Sequence, residues 1–347
     1  MKAAGGEVPR HIGPYTVIAC LDDEHGALYG PPPPVPERRF FARGSDGDTV
    51  LVCVPHPGVD PGRFAAEAGM SRYLLGTWTA PATWLAPPGE APWHARAYEP
   101  ALPLPMALAV LGGPLSEPTV RVLGAALADT LSVVHGQGLA HAGISPASVL
   151  LTAEGPRLTC FGAVRAAGPD GEPRYGLPGL ETGSLAPEQA AGGHPRQPGD
   201  IHALGATLAY AATGHTVPER GEIPPVLRDV LTACLARDPA ARPGTARLLE
   251  AFGSAAPDMP GTPGLSAAPG ASTAPGTPEV PGPGWLPGRL VAALARQSAV
   301  LLAADIPVPD TVPSPPSPAP PVPPPSPAPS VPPPSSVPPG TAAPSHD

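Results

Sequence analysis

The groups in this 347-residue chain that could move protons, bind ions or attack an electrophile are few. Residues 141 to 151 read HAGISPASVLL, a loop with built turn chemistry between two apolar segments. It offers one imidazole, His141, and two hydroxyls, Ser145 and Ser148, but no carboxylate and no amine. Three carboxylates, Asp22, Asp23 and Glu24, stand together in LDDEHGALY and are the nearest approach to a ligand set for a hard cation. The four cysteines, Cys20, Cys53, Cys160 and Cys234, fall at wide, irregular spacings that match neither a disulfide framework nor a zinc motif, so no metal is expected and the thiols read as reduced. Lys2 is the only lysine, which leaves arginine as the sole permanent cation in the rest of the chain.

The elements that must position these groups follow from periodicity. PYTVIACL (14 to 21), RRFFARG (38 to 44) and DTVLVCV (48 to 54) are rich in β-branched or aromatic residues and bounded by turn formers, which predicts a small antiparallel sheet. DPGRFAAEAGMSRYLL (60 to 75) reads as a helix with Pro61 in its first turn. From Ser116, an N-cap with Pro118 just inside, Val120, Leu123, Leu127, Leu131 and Val134 form the apolar face of a long helix that Gly136 and Gly138 end. Short strands follow at 148 to 152 and 157 to 162, then helices near 199 to 214, 224 to 236 and 244 to 252. This order predicts an α+β, two-lobed fold: a β-rich first lobe, a helical second lobe and a cleft between them.

Composition sets the outer bounds. A formal charge of −9 with no basic stripe argues against nucleic acid as a partner. No apolar run reaches the ~20 residues of a membrane span, and the N-terminus lacks a signal-peptide core, so a cytoplasmic protein is expected. Residues 254 to 284 form a Gly/Pro-rich linker, and 285 to 305 a mildly amphipathic helix with Leu290, Val291, Leu294, Leu301 and Leu302 along one side. That helix is expected to dock on its own protein. The proline-rich stretch 306 to 347 is expected to stay disordered, as a spacer rather than as an SH3- or WW-type ligand.

Three short sequences, in order, resemble the eukaryotic-type Ser/Thr protein kinases of actinobacteria over about Ile12 to Phe252. APEQAAG (186 to 192) is similar to the end of their activation segment, GDIHALGATLAYAATG (199 to 214) to their central buried helix, and RDPAARPGTA (237 to 246) to the segment bearing a structural arginine. The resemblance implies a leader over 1 to 11, a protein-kinase-like domain over 12 to 253, an ion pair between Glu188 and Arg242, and Asp200 holding the catalytic-loop backbone. GWLPGRLVAALARQS also resembles a segment found after some kinase domains of this group.

Laid on the family's His-Arg-Asp-Leu-Lys-Pro-x-Asn pattern, the opening loop keeps His141 as a packed structural residue and Pro146, and places Ala142, Gly143, Ser145 and Ser148 where the Arg, Asp, Lys and Asn stand. The metal-binding Asp-Phe-Gly becomes Cys160-Phe161-Gly162. The phosphate lysine falls on Cys53, read here as apolar filling, and Glu67 keeps the helix position without its partner. The glycine loop retains only Gly26, and Glu181 replaces the usual activation-segment threonine. The resemblance therefore implies a kinase fold without kinase chemistry: a pseudokinase acting as a signalling, scaffold or regulatory binding module for a protein partner, with no catalytic residue and no cofactor. The alternative is an active Ser/Thr kinase using ATP and magnesium through relocated groups such as Asp22, Asp23 and Glu24.

Overall fold

The protein's structure, a computed structural model, describes residues 8–21, 37–57, 59–73, 76–159, 165–166, 184–219, 221–253 and 284–303. Asp22, Asp23, Glu24, Gly26, Cys160, Phe161, Gly162 and Glu181 lie outside them, as do the linker up to 283 and everything beyond 303.

The first lobe is a curled antiparallel sheet. Strands β1 (His11–Ile12), β2 (Tyr15–Cys20), β3 (Glu37–Arg43) and β4 (Thr49–Pro55) are followed by helix α1 (Pro61–Ser71), then β5 (Thr79–Ala80), β6 (Trp84–Leu85) and β7 (His94–Ala97). The sheet order is β1-β2-β3-β4-β7-β6. Because side chains alternate across a strand, β3 and β4 send Phe40, Ala42, Val50 and Val52 to one face and Phe41, Leu51 and Cys53 to the other. The first set joins Ile12, Tyr15, Val17, Trp93 and Ala95 in a closed outer core. The second turns toward the other lobe. Helix α1 starts where Asp60 accepts a hydrogen bond from the Arg63 N–H at 2.5 Å with Pro61 just inside it.

The second lobe runs through β8 (Leu102–Pro103), α2 (Leu104–Leu111), α3 (Glu117–Gly136), β9 (Leu139–Ala140), β10 (Val149–Leu151), β11 (Pro156–Thr159), β12 (Arg165–Ala166), α4 (Pro187–Ala190), α5 (Gln197–Thr213), α6 (Pro225–Cys234), α7 (Thr245–Gly253) and α8 (Gly288–Ala303). Val120, Leu123, Leu127 and Leu131 of α3 are wholly buried against Leu204 and Leu208 of α5, Leu227 and Leu231 of α6, and Leu248 of α7. The apolar stripe that predicts α3 is thus the stripe that holds the lobe together. No described helix is long and apolar enough to cross a membrane.

Two elements escaped the sequence pattern. HARA (β7) has no β-branched residue, and its strand identity comes from pairing with β4. LPMALAVL (α2) begins next to Pro103 and Pro105, which read as breakers yet occupy the start of a helix, where a missing N–H is harmless.

The turn between β10 and β11 shows how tightly the parts fit. Thr152 donates its hydroxyl to the Gly155 carbonyl at 2.7 Å, and Gly155 has φ +152° with the Trp78 ring lying where a Cβ would be. Trp78 is 2% exposed and cannot move aside. Gly155→Ala is therefore expected to destabilise the fold by about 2 kcal/mol or more, lowering Tm by roughly 4–8 °C in a thermal melt.

Candidate functional site

The loop 141 to 148 hangs from one carboxylate. Asp200, 1% exposed in the first turn of α5, accepts the His141 N–H at 2.8 Å and the Ala142 N–H at 2.7 Å. It also accepts the His135 Nε2–H at 2.9 Å, from the last turn of α3. Gln197 adds a link to the same corner, donating to the carbonyls of His135 at 2.9 Å and Leu139 at 3.3 Å. Under this tether Ala142 adopts φ +56°, the described non-glycine residue with a left-handed backbone, a conformation that disfavours any Cβ by about 1 kcal/mol.

His141 is fully buried with both ring nitrogens engaged: Nε2–H donates to the Thr159 carbonyl at 2.9 Å and Nδ1 accepts the Gly143 N–H at 3.3 Å. That tautomer is neutral and has no lone pair left for a substrate proton. Ser148 accepts the Ser145 N–H and donates to the Ser145 carbonyl, both at 2.9 Å, which closes the turn of 3-10 helix over Pro146–Ser148. Ser145 and Ser148 are buried. The hydroxyl of Ser148 thus braces the loop, and the loop presents no carboxylate to the cleft.

Below the loop, Arg242 makes a bidentate pair with Glu188 at 2.6 and 2.8 Å. The guanidinium also donates to the carbonyls of Pro198 at 2.8 Å and Ala236 at 2.9 Å, so α4, α5 and the segment before α7 meet on one side chain. Burial pushes the Glu188 carboxyl up, but the hydrogen bonds from Arg242 and its charge outweigh this and bring it below the usual carboxylate range.

Above the loop, strand register places Glu37, Arg39 and Phe41 of β3, Leu51 and Cys53 of β4, and His94 and Arg96 of β7 on the sheet's inner face. Cys53 has zero exposure. It is more than apolar filling: its thiol hydrogen-bonds the Glu37 carboxylate, which also accepts the His94 Nε2–H at 2.9 Å. Burial, then the Glu37 charge, push the thiol well above its ordinary range, so it is a protonated donor. For Glu37 burial acts upward, but His94, Arg96 and the thiol prevail and hold it at about 2. Glu67 also differs from its reading as a partnerless residue: Arg63, one turn earlier on α1, donates to it at 3.0 Å.

Arg39 and Arg96 stand on the same face and are not marked by any sequence motif. Arg39 is 8% exposed, and Arg96 donates to the Ala80 carbonyl at 3.2 Å. The signal was present as the period-two run Glu37, Arg39, Phe41, but nothing in the sequence identified β7 as its neighbour. Between the lobes lies a cavity of about 190 Å³, with Leu51 above, Leu150 and Thr152 below, and Arg96, Ala97 and Glu99 along its side.

Helix α8 joins the two halves of this site. Trp285 donates to the carbonyls of Thr152 at 3.2 Å and Ala153 at 3.3 Å, and Leu290, Ala293 and Leu294 enter the helical core. Gln297 accepts the Ala101 N–H, on the segment between the lobes, at 2.9 Å. Leu301 packs against Phe41, Leu51 and Cys53. Positions 290, 294, 297 and 301 share the inward face, which puts Val291 (45% exposed) and Leu302 (83% exposed) toward solvent rather than on the apolar side where the pattern set them.

A six-strand curl capped by α1, a helical lobe built around α5, and a loop slung between them from Asp200 define a protein-kinase fold. No protein-family model matches the chain. Among curated proteins it is similar to the probable serine/threonine-protein kinase PkwA of Thermomonospora curvata, 32% identical over 263 residues, covering 70% of this chain and 34% of that protein. The serine/threonine-protein kinases AfsK of Streptomyces griseus and Streptomyces coelicolor are 30% and 28% identical, over 68% and 72% of this chain and 31% and 33% of theirs. The chain belongs to the eukaryotic-type Ser/Thr protein kinase family. It spans about a third of the length of these relatives.

Two outcomes are expected. Arg242→Ala leaves Glu188 and two carbonyls without their donor, which should destabilise by about 3 kcal/mol and lower Tm by roughly 6–12 °C. The depressed Glu37 carboxyl contributes stability that is complete above its ordinary 4.5 and is lost as pH falls toward about 2. Denaturant melts of Glu37→Gln should therefore match wild type more closely at about pH 2.5 than at about pH 6.

Proposed function

We propose that this chain is a pseudokinase: a protein-kinase fold that no longer transfers phosphate and serves as a binding or regulatory module for a protein partner. One observation carries the reading. The loop that must orient the substrate hydroxyl and a metal holds Gly143, Ser145 and Ser148, and the Ser148 hydroxyl is committed to the loop's own backbone. Phosphoryl transfer depends on positioned carboxylates and on charge neutralisation at the phosphates, and the loop 141 to 148 carries no carboxylate, lysine or arginine.

Further support comes from closure. Leu301 of α8 covers part of the inner sheet face, and Gln297 takes up the backbone donor of Ala101. Cys20, Cys53 and Cys234 are buried and form no disulfide, which suits a reducing cytoplasm. The proline-rich end then acts as a spacer.

A second reading, ATP-dependent transfer with relocated groups, draws on Arg39 and Arg96, which flank Cys53 on the face where the family's lysine would stand. One assay separates the two. The full chain incubated with labelled ATP and Mg²⁺ or Mn²⁺, alone and with a generic protein substrate, should show no transfer above a heat-killed control. Metal-dependent labelling abolished by Arg39→Ala would establish the second reading instead.

A further inference from the structure

We infer that Glu37, Cys53 and His94 form a binding site for a zinc-class divalent metal ion. The three residues come from adjacent strands β3, β4 and β7, and their ligand atoms all lie within 4.8 Å of one another. One sulfur, one imidazole nitrogen and one carboxylate oxygen form a donor set that zinc accepts, whereas magnesium demands six oxygens. In a tetrahedral site ligand atoms ~2.0 to 2.3 Å from the ion stand between ~3 and 4 Å apart, a spacing that falls within the 4.8 Å bound of this cluster. The Glu37–His94 contact of 2.9 Å need open only slightly as the ion takes the place of the shared proton.

The backbone is suited to holding such a site. Cys53 pairs directly with His94 across the β4–β7 ladder, and both strands sit inside the sheet rather than at its edge. Phe64 of α1 stacks on the His94 ring with centroids 5.4 Å apart, fixing its plane. His94 Nδ1 has no hydrogen-bond partner among the described residues. The ring proton can therefore move to Nδ1 without breaking a bond there, which frees the Nε2 lone pair for a metal.

Charge balances as well. The step is Cys53–SH plus M²⁺ giving Cys53–S–M⁺ plus a released proton, with no electron transferred. The remaining positive charge is met by the Glu37 carboxylate. Arg39 and Arg96 also lie near the thiol and favour its anion, and Arg96 is turned away to the Ala80 carbonyl. Spacing of cysteines along the chain could not reveal this site, because its ligands stand at positions 37, 53 and 94, with a single cysteine among them.

The test titrates chelator-stripped full-length protein with Co²⁺, whose thiolate charge-transfer and tetrahedral d–d absorption report the ligands, followed by displacement with Zn²⁺. One equivalent should give both bands, release a proton, and raise Tm. Cys53→Ser should abolish the thiolate band, and His94→Ala should weaken Co²⁺ binding by at least about 100-fold, the upper end of what losing an outer partner does. Absence of a thiolate band, or a band and affinity unchanged in Cys53→Ser, overturns the site and marks any binding as adventitious. Should Cys53→Ser not fold, Glu37→Gln keeps an oxygen acceptor for His94, and unchanged Co²⁺ affinity in that variant overturns the site equally.

Discussion

The Asp200 carboxylate is the constraint on which the rest of the cleft depends. It sits buried at the start of α5, where the helix N-terminus favours a negative charge, and accepts two consecutive backbone N–H groups together with a ring N–H from α3. The two backbone donors belong to a loop that crosses the interior, where an unpaired amide would cost about 1 to 3 kcal/mol. With the tether in place Ala142 is held left-handed, His141 is turned onto the Thr159 carbonyl, and Ser148 closes the turn that leads into β10. The loop's geometry is therefore maintained by its own backbone groups and one distant aspartate.

On the inner sheet face, thiol, carboxylate and imidazole form a short polar network, and two arginines arrive from neighbouring strands. Glu67 is drawn to Arg63 on its own helix. These groups find partners locally, which keeps the polar balance of the lobe.

Helix α8 adds a connection between the lobes. Its start is pinned by Trp285 to the β10–β11 turn, its middle fills the helical core, and its end touches the sheet at Leu301. A single element contacting both lobes and the segment between them restricts their relative motion.

Much of this could be read before any coordinates. Val120, Leu123, Leu127 and Leu131 announce α3 because a helix repeats every 3.6 residues, and Phe40 and Val52 alternate with Phe41 and Leu51 because a strand repeats every two. Glu188, Asp200 and Arg242 were legible by resemblance, since their spacing along the chain is that of a family. What only the tertiary structure decided is which distant groups meet: Glu37 with Cys53 and His94, Glu67 with Arg63, Gln297 with Ala101, and Trp285 with Thr152. Periodicity states which face of an element is buried, but strand order, register and helix docking determine what that face is buried against. Those are set by the packing of the whole domain, not by any local run of residues.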